Sequence, residues 1–310
     1  MTQPKPETGP STTATGALLP DKSSVSGDVT VDLDGVSFGY VPGVPVIRSV
    51  TVGLKPGRVC ALIGPNAAGK STLLKLMLGQ LEPEAGSVCL SGRSVSAWPA
   101  TRRAGLISYV PQQGGVSFAY TVEQVVAMGR YALGDRDDAV TRALEVCDIN
   151  DVRARVFAEL SGGQQQRVLL ARAVAQSAGS GRVMLLDEPA SGMDLWHVHQ
   201  TMQLLRRLAS GDDGGEGLAV LVVVHDVNMA ARYADDVWLM DRGQLAKAGP
   251  WDQVLKPALL EKVYGVGFTP MQAPVPPECS DGHPERGIPV PGTESGVRPV
   301  YWIDPRDTIE

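Results

Sequence analysis

Nowhere does the 310-residue sequence carry a run of the roughly 18 to 20 apolar residues that a helix needs to cross a bilayer, so work at a membrane is expected to be peripheral. Cysteine is scarce, four in all, and none falls in a CxxC pair. Neither a zinc ribbon nor a disulfide framework is therefore suggested, and a reducing cytoplasm fits. Basic residues do not dominate either. The net charge of −6 argues against a nucleic-acid binder, which usually carries a basic footprint. Residues 1–27 are rich in Thr, Ser, Pro and Gly and lack the apolar stretch of about 7 to 15 residues found in a signal peptide. With so little apolar surface to offset ordering entropy, they read as a disordered tail.

What is present is a strand–helix alternation. Val29, Val31 and Leu33 share one face, and Val50, Val52 and Leu54 another, as in half-buried antiparallel strands. Val59–Ile63, Val183–Leu186 and Leu218–Val224 are wholly apolar runs, and Leu106–Val110 a buried run broken only by Ser108, of the kind that fill a parallel sheet. Helical periodicity appears between them, at Leu73, Leu74, Leu76 and Met77, at Val140, Ala143, Leu144 and Cys147, and from Trp196 to Leu208. Thr121 to Gln124 reads as a capping box. The expected class is α/β with a mostly parallel sheet. Residues 210–217 and about 271–295 read as loops, and Val297 to Ile303 as a last strand.

Three segments carry chemistry. Gly64, Pro65, Asn66, Ala67, Ala68, Gly69, Lys70 and Ser71 satisfy the pattern G-x(4)-G-K-[ST], straight after a buried strand and opening a helix. Backbone N–H groups and the positive helix end then make an anion site for phosphates. Lys70 would bind the β- and γ-phosphates and Ser71 would ligate Mg²⁺. Asp187 and Glu188 end an apolar strand, where ligands gather in open α/β sheets. Asp187 would hold Mg²⁺, and Glu188 would polarise an attacking water as general base. Leu160-Ser-Gly-Gly-Gln164 opens a helix on a hydroxyl cap followed by two glycines, a second phosphate-binding arrangement.

That last pentapeptide is the point at which the chain resembles a known family, the ATP-binding cassette proteins, over roughly Val29 to Gly267. The resemblance implies a P-loop nucleotidase core with an N-terminal antiparallel β-subdomain and an inserted helical subdomain at about 113–165. The cassette would cover 28–270, and 271–310 would form an extension containing a β-hairpin with a long loop. It also implies further site residues: Tyr40 stacking on adenine, Thr72 beside the phosphates, and Gln112 at the junction with the helical subdomain, near the metal. Asp194 would lie on the dimer seam, and His225 would be the switch histidine. Ser161, Gly162, Gly163 and Gln164 would close over the ATP of a second copy. Ala67 stands where the family usually has Gly, and Gly192-Met193 where Ala-Leu is commoner.

The implied activity is hydrolysis of ATP, with Mg²⁺, by two cassettes facing head to tail. Repair and chromosome proteins of the family carry long coiled coils between P-loop and signature, an interval of fewer than 100 residues here, and translation factors carry two cassettes per chain. A transport ATPase is favoured, and the absence of a fused membrane span favours an importer, acting at the cytoplasmic face of the cell membrane with permease subunits and, indirectly, a substrate-binding protein. The strings Phe118–Arg130, His225–Ala234 and Val263–Val266 resemble ATPases of ferric-siderophore, haem and cobalamin importers. Zinc, manganese or molybdate importers are the alternative, then a soluble cassette protein outside transport.

Overall fold

The structure, a computed structural model, describes residues 31–112, 114, 118–134, 137–178, 182–211, 217–272 and 299–303. The tail expected over 1–27, the middle of the 210–217 linker and nearly all of the 271–295 loop lie outside the described residues.

The first strand, β1 (Val31–Phe38), buries Val31, Leu33, Val36 and Phe38 and exposes Asp32 and Asp34. Such alternation suits a sheet with one wet face. It pairs antiparallel with β2 (Ile47–Leu54) and with β4 (Ala85–Leu90), and β5 (Arg93–Ser94) extends the sheet beyond β4. The dry face packs on α1 (Lys70–Met77), whose Leu73, Leu74, Leu76 and Met77 are fully buried.

The second sheet has the order β10-β9-β3-β8-β7-β6. Its strands are β3 (Arg58–Ile63), β6 (Ile107–Val110), β7 (Val183–Asp187), β8 (Ala219–Val223), β9 (Asp236–Asp241) and β10 (Gln244–Pro250). Every pairing is parallel except the hairpin β9–β10. The central strands are continuously apolar because helices cover both faces. Leu106, expected to start the β6 run, instead ends α2 (Ala100–Leu106), and the strand begins at Ile107. Parallel register sets Val110 beside Leu186, Asp187 beside Val223 and Val223 beside Leu62. The chain therefore leaves β3, β6, β7 and β8 at one edge.

Between β6 and β7 the chain is helical. Thr121 caps α3 (Val122–Ala127): its hydroxyl accepts from Gln124 N at 3.3 Å while the Gln124 side chain accepts from Thr121 N at 2.9 Å. Val125 and Val126, with Ala143 and Leu144 of α4 (Asp137–Val146), pack with Val168 and Leu169 of the long α5 (Gly162–Ser177). After β7 and β8 come α6 (Leu195–Ser210) and α7 (Val227–Tyr233), and after β10 come α8 (Trp251–Val254) and α9 (Pro257–Tyr264). The last pair, β11 (Phe268–Gln272) and β12 (Pro299–Ile303), is antiparallel with Phe268 opposite Ile303. Among the described residues no helix is long and apolar enough to cross a membrane.

Leu186 is fully buried one residue before Asp187. Leu186→Ala should destabilise by about 2–5 kcal/mol through lost transfer energy and a cavity, read as a lower urea midpoint; an unchanged midpoint would show the site to be soft.

Candidate functional site

The Gly64–Ser71 loop turns between β3 and α1 because its backbone adopts conformations that a side chain would block. Gly64 has φ of 149°, and a Cβ there would meet the Met240 carbonyl oxygen at 2.3 Å. Gly69, before the first helical residue, has φ of 99°. Ala67 is left-handed too, at φ 61°, which costs a residue bearing a Cβ roughly 1–2 kcal/mol. Here the departure from the usual Gly has a physical consequence: the turn forms, under strain. Lys70 is 7% exposed, and its ammonium donates to the carbonyls of Gly64 at 2.8 Å and Pro65 at 2.9 Å. Burial pulls its pKa below the ordinary lysine range, opposed by the charges of Glu188 and Asp187.

Facing it, β7 delivers two carboxylates in different surroundings. Asp187 is 5% exposed; burial raises its pKa, against a hydrogen bond with Ser71. Its Oδ1 is buried without a partner. Such an oxygen beside the Ser71 hydroxyl is a hard donor pair suited to Mg²⁺. Glu188 has left the strand and is left-handed, with φ of 51°. Its carboxylate is gripped from both sides: Gln112 Nε2 donates to Oε2 at 2.8 Å, and His225 Nε2 lies 2.5 Å from Oε1. Gln112 comes from beyond the end of β6 and His225 from beyond the end of β8, on either side of β7.

Tyr40 stands at the rim. It is 56% exposed, its ring meets Phe38 edge-on at 5.0 Å, and its hydroxyl lies 3.3 Å from Thr72 Oγ1 on α1. An accessible aromatic is thus tied to the helix that starts at the loop.

The Ser161–Gln164 segment is built differently. Ser161 Oγ accepts from Gln164 N at 3.3 Å, and Gln164 Oε1 accepts from Ser161 N at 3.1 Å, a full capping box. Among the described residues these bonds stay within that turn. Ser161 and Gly162 are exposed, and a Cβ on Gly162 would meet open space. A Cβ on Gly163 would come within 3.0 Å of Gly192 O, so the segment abuts the loop before Asp194. Asp194 caps α6 by accepting from His197 N at 3.0 Å and lies 2.7 Å from His197 Nδ1. These bonds hold its pKa below the usual carboxylate range, the backbone bond most. Leu195 and Trp196 follow, 88% and 63% exposed.

One cluster therefore holds Gly64 to Thr72, Gln112, Asp187, Glu188 and His225. Ser161 to Gln164 and Asp194 form another surface, linked to the first through α5: Gln166 donates from Nε2 to Pro111 O at 3.3 Å. One support escapes any sequence reading. Asn228, on the helix following His225, bonds Tyr301, and their separation of 73 positions leaves no local signal. The cap Asp226, accepting from Asn228 N at 2.7 Å, does have one, an Asp before an apolar turn.

Relief of the left-handed alanine is measurable. Ala67→Gly should raise stability by about 0.5–1 kcal/mol, strain released exceeding the added chain entropy, and thus raise Tm; a lower Tm would mean the turn is unstrained.

Comparison with known proteins agrees with this geometry. The family model described as ABC transporter matches residues 47–191. A hemin import ATP-binding protein, HmuV, of Pseudomonas entomophila is 40% identical over 251 residues, 79% of this chain and 92% of that protein. A structure described as an inward-facing metal-chelate type ABC transporter aligns with a TM-score of 0.69 at 24% identity, over 90% of this chain and 98% of the other. A dimeric ATP-binding cassette, MJ0796, bound to ADP and Pi, aligns with a TM-score of 0.64 at 25% identity, over 71% and 98%. With its phosphate loop, paired carboxylates and capped second segment in this arrangement, the chain belongs to the ATP-binding cassette (ABC) transporter family.

Proposed function

We propose that this chain is the ATP-hydrolysing motor of an importer for an iron chelate, with haem the favoured cargo. The observation that carries the hydrolytic reading is the Glu188 carboxylate, held by Gln112 and His225 beside the Lys70 loop. The cassette spans 28–270, with a helical subdomain at about 113–165 and an extension over 271–310.

The backbone N–H groups of residues 64 and 66–72 and the positive end of α1 attract the phosphates, and Lys70 exchanges its carbonyl contacts for β- and γ-phosphate oxygens. Tyr40 offers a face for the adenine. Ser71, Gln112 and Asp187 would hold Mg²⁺, which when bound offsets charge on the phosphates. A carboxylate has about four acceptor positions, so Glu188 keeps its two partners and still accepts a hydrogen bond from water. As the water oxygen attacks the γ-phosphorus, its proton passes to a Glu188 oxygen, and the bond from phosphorus to the β–γ bridging oxygen breaks, leaving ADP and phosphate. His225 and Gln112 keep the carboxylate aimed.

Ser161, Gly162, Gly163 and Gln164 are exposed or half-exposed and, among the described residues, the capping bonds of Ser161 and Gln164 stay within one turn, which supports their acting on the nucleotide of a second copy. Asp194 sits on the adjoining seam. The chain then binds peripherally to permease subunits on the cytoplasmic side, with a substrate-binding protein beyond them. Haem is favoured over other chelates, and over zinc, manganese or molybdate, because relatives 40% identical to this chain are named for hemin import.

Glu188→Gln should keep ATP affinity and lose turnover by at least about a hundredfold, whereas Lys70→Ala should lose the affinity itself. Glu188→Gln with ATP and Mg²⁺ should also run as a dimer in light scattering; wild-type hydrolysis, or a monomer at saturating ATP, contradicts the reading. For cargo, the chain with its co-purified permease in liposomes should hydrolyse ATP faster with haem-loaded binding protein than with zinc-loaded protein; equal rates exclude haem.

A further inference from the structure

His225 stands on a short connection. Val224 is fixed by donating its N–H to Leu62 O at 3.2 Å, but on the other side His225 runs directly into α7, seven residues long. A helix that short has little stability of its own, so packing decides where it sits. Its first turn is held by the far end of the chain. Tyr301 N donates to Asn228 Oδ1 at 2.6 Å, and Asn228 Nδ2 donates back to Tyr301 O at 3.2 Å. This reciprocal pair is the kind of bond one strand makes with another, made here by a side chain. Tyr301 is itself anchored: it is 6% exposed, and its hydroxyl donates to Leu255 O, between α8 and α9, at 2.5 Å. At the other end of α7, Tyr233 Oη lies 2.7 Å from His199 Nδ1 on α6. The helix is thus pinned at both ends by polar contacts, and the pin nearer His225 comes from β12.

We infer that Asn228 and Tyr301 are positioning residues for His225: strand β12 sets where α7 begins, and so where the imidazole meets Glu188. The inference rests on the proposed part of His225 in turnover. Neither residue belongs to the phosphate loop. They act through two bonds, Asn228 N to the Asp226 cap at 2.7 Å and the peptide linking Asp226 to His225. A shift in α7 of a fraction of an ångström would move Nε2 out of its 2.5 Å contact while leaving Lys70 and Tyr40 undisturbed. The expected signature is a loss in kcat and not in ATP binding.

The test is steady-state ATP hydrolysis by the full chain. Asn228→Ala should lower kcat by about tenfold with KM for ATP within about twofold. Asn228→Asp keeps an acceptor for Tyr301 N and should recover most of the loss. Added to His225→Ala, Asn228→Ala should change kcat no further, because it acts through that ring. Leu260→Ala, a fully buried change in α9, should lower Tm but leave kcat near wild type. Where Asn228→Ala does not fold, Asn228→Ser replaces it with the same expectation. A wild-type kcat in Asn228→Ala, an equal further loss in the His225→Ala background, or an equal loss in Leu260→Ala would overturn the inference. Wild-type turnover by His225→Ala itself would instead remove the role given to His225, and the inference with it.

Discussion

Parallel pairing across β6, β7, β8 and β3 is the constraint on which the site depends. Four strands running the same way must release their chains at one edge, and each release point carries a different functional group. The phosphate loop follows β3, Gln112 lies beyond β6, Asp187 ends β7 with Glu188 directly after it, and His225 lies beyond β8. The residues span more than 150 positions of sequence, yet sheet spacing of about 4.8 Å between neighbours brings them within hydrogen-bonding reach. Slipping one strand by a residue would turn its apolar side chains to the wrong face and withdraw its group from the cluster.

Within that frame, charge is handled by burial. Lys70 and Asp187 are both removed from water, and desolvation pushes each toward its neutral form. The fields of Glu188 and Asp187 oppose this on the lysine, and the Ser71 bond and Lys70 oppose it on the aspartate. A triphosphate with its metal would supply what each lacks: negative charge for the ammonium and a cation for the orphaned Asp187 oxygen. The site is strained as well as desolvated. Ala67 and Glu188 both occupy the left-handed region, and such strain persists only where surrounding structure over-determines it. Around Glu188 that structure is the paired grip of Gln112 and His225.

Most of this was legible in sequence where function rests on local backbone chemistry. Gly64 and Gly69 are needed for turns that no side chain fits, Ser161 with Gln164 is a cap recognisable within four residues, and an apolar run ending in two carboxylates can be read from β7 alone. Resemblance to a family supplied Tyr40, Gln112, Asp194 and His225, none of which has an informative local context. What stayed hidden is long-range or conformational. Nothing near Asn228 points to Tyr301, because their bond depends on how the last strand returns. Ala67 conforms to a pattern that leaves its position free, and only its φ shows the cost. Leu106 is apolar like the strand after it, so composition cannot separate a helix end from a strand start.

The two surfaces are not independent, and α5 is the reason. The helix begins at the Ser161 cap and, within two turns, Gln166 reaches back to Pro111, the residue before Gln112. The start of α5 and the connection that carries Gln112 therefore share a support. The same turn presses Gly163 against Gly192, which leads into the Asp194 cap of α6, and α6 bonds α7 through His199 and Tyr233. A closed circuit results, running from Gln112 through α5, the 191–194 loop, α6 and α7 to His225, and across Glu188 back to Gln112. The Glu188 cluster and the exposed Ser161–Gly162 surface are thus joined by contiguous contacts on both sides of the carboxylate.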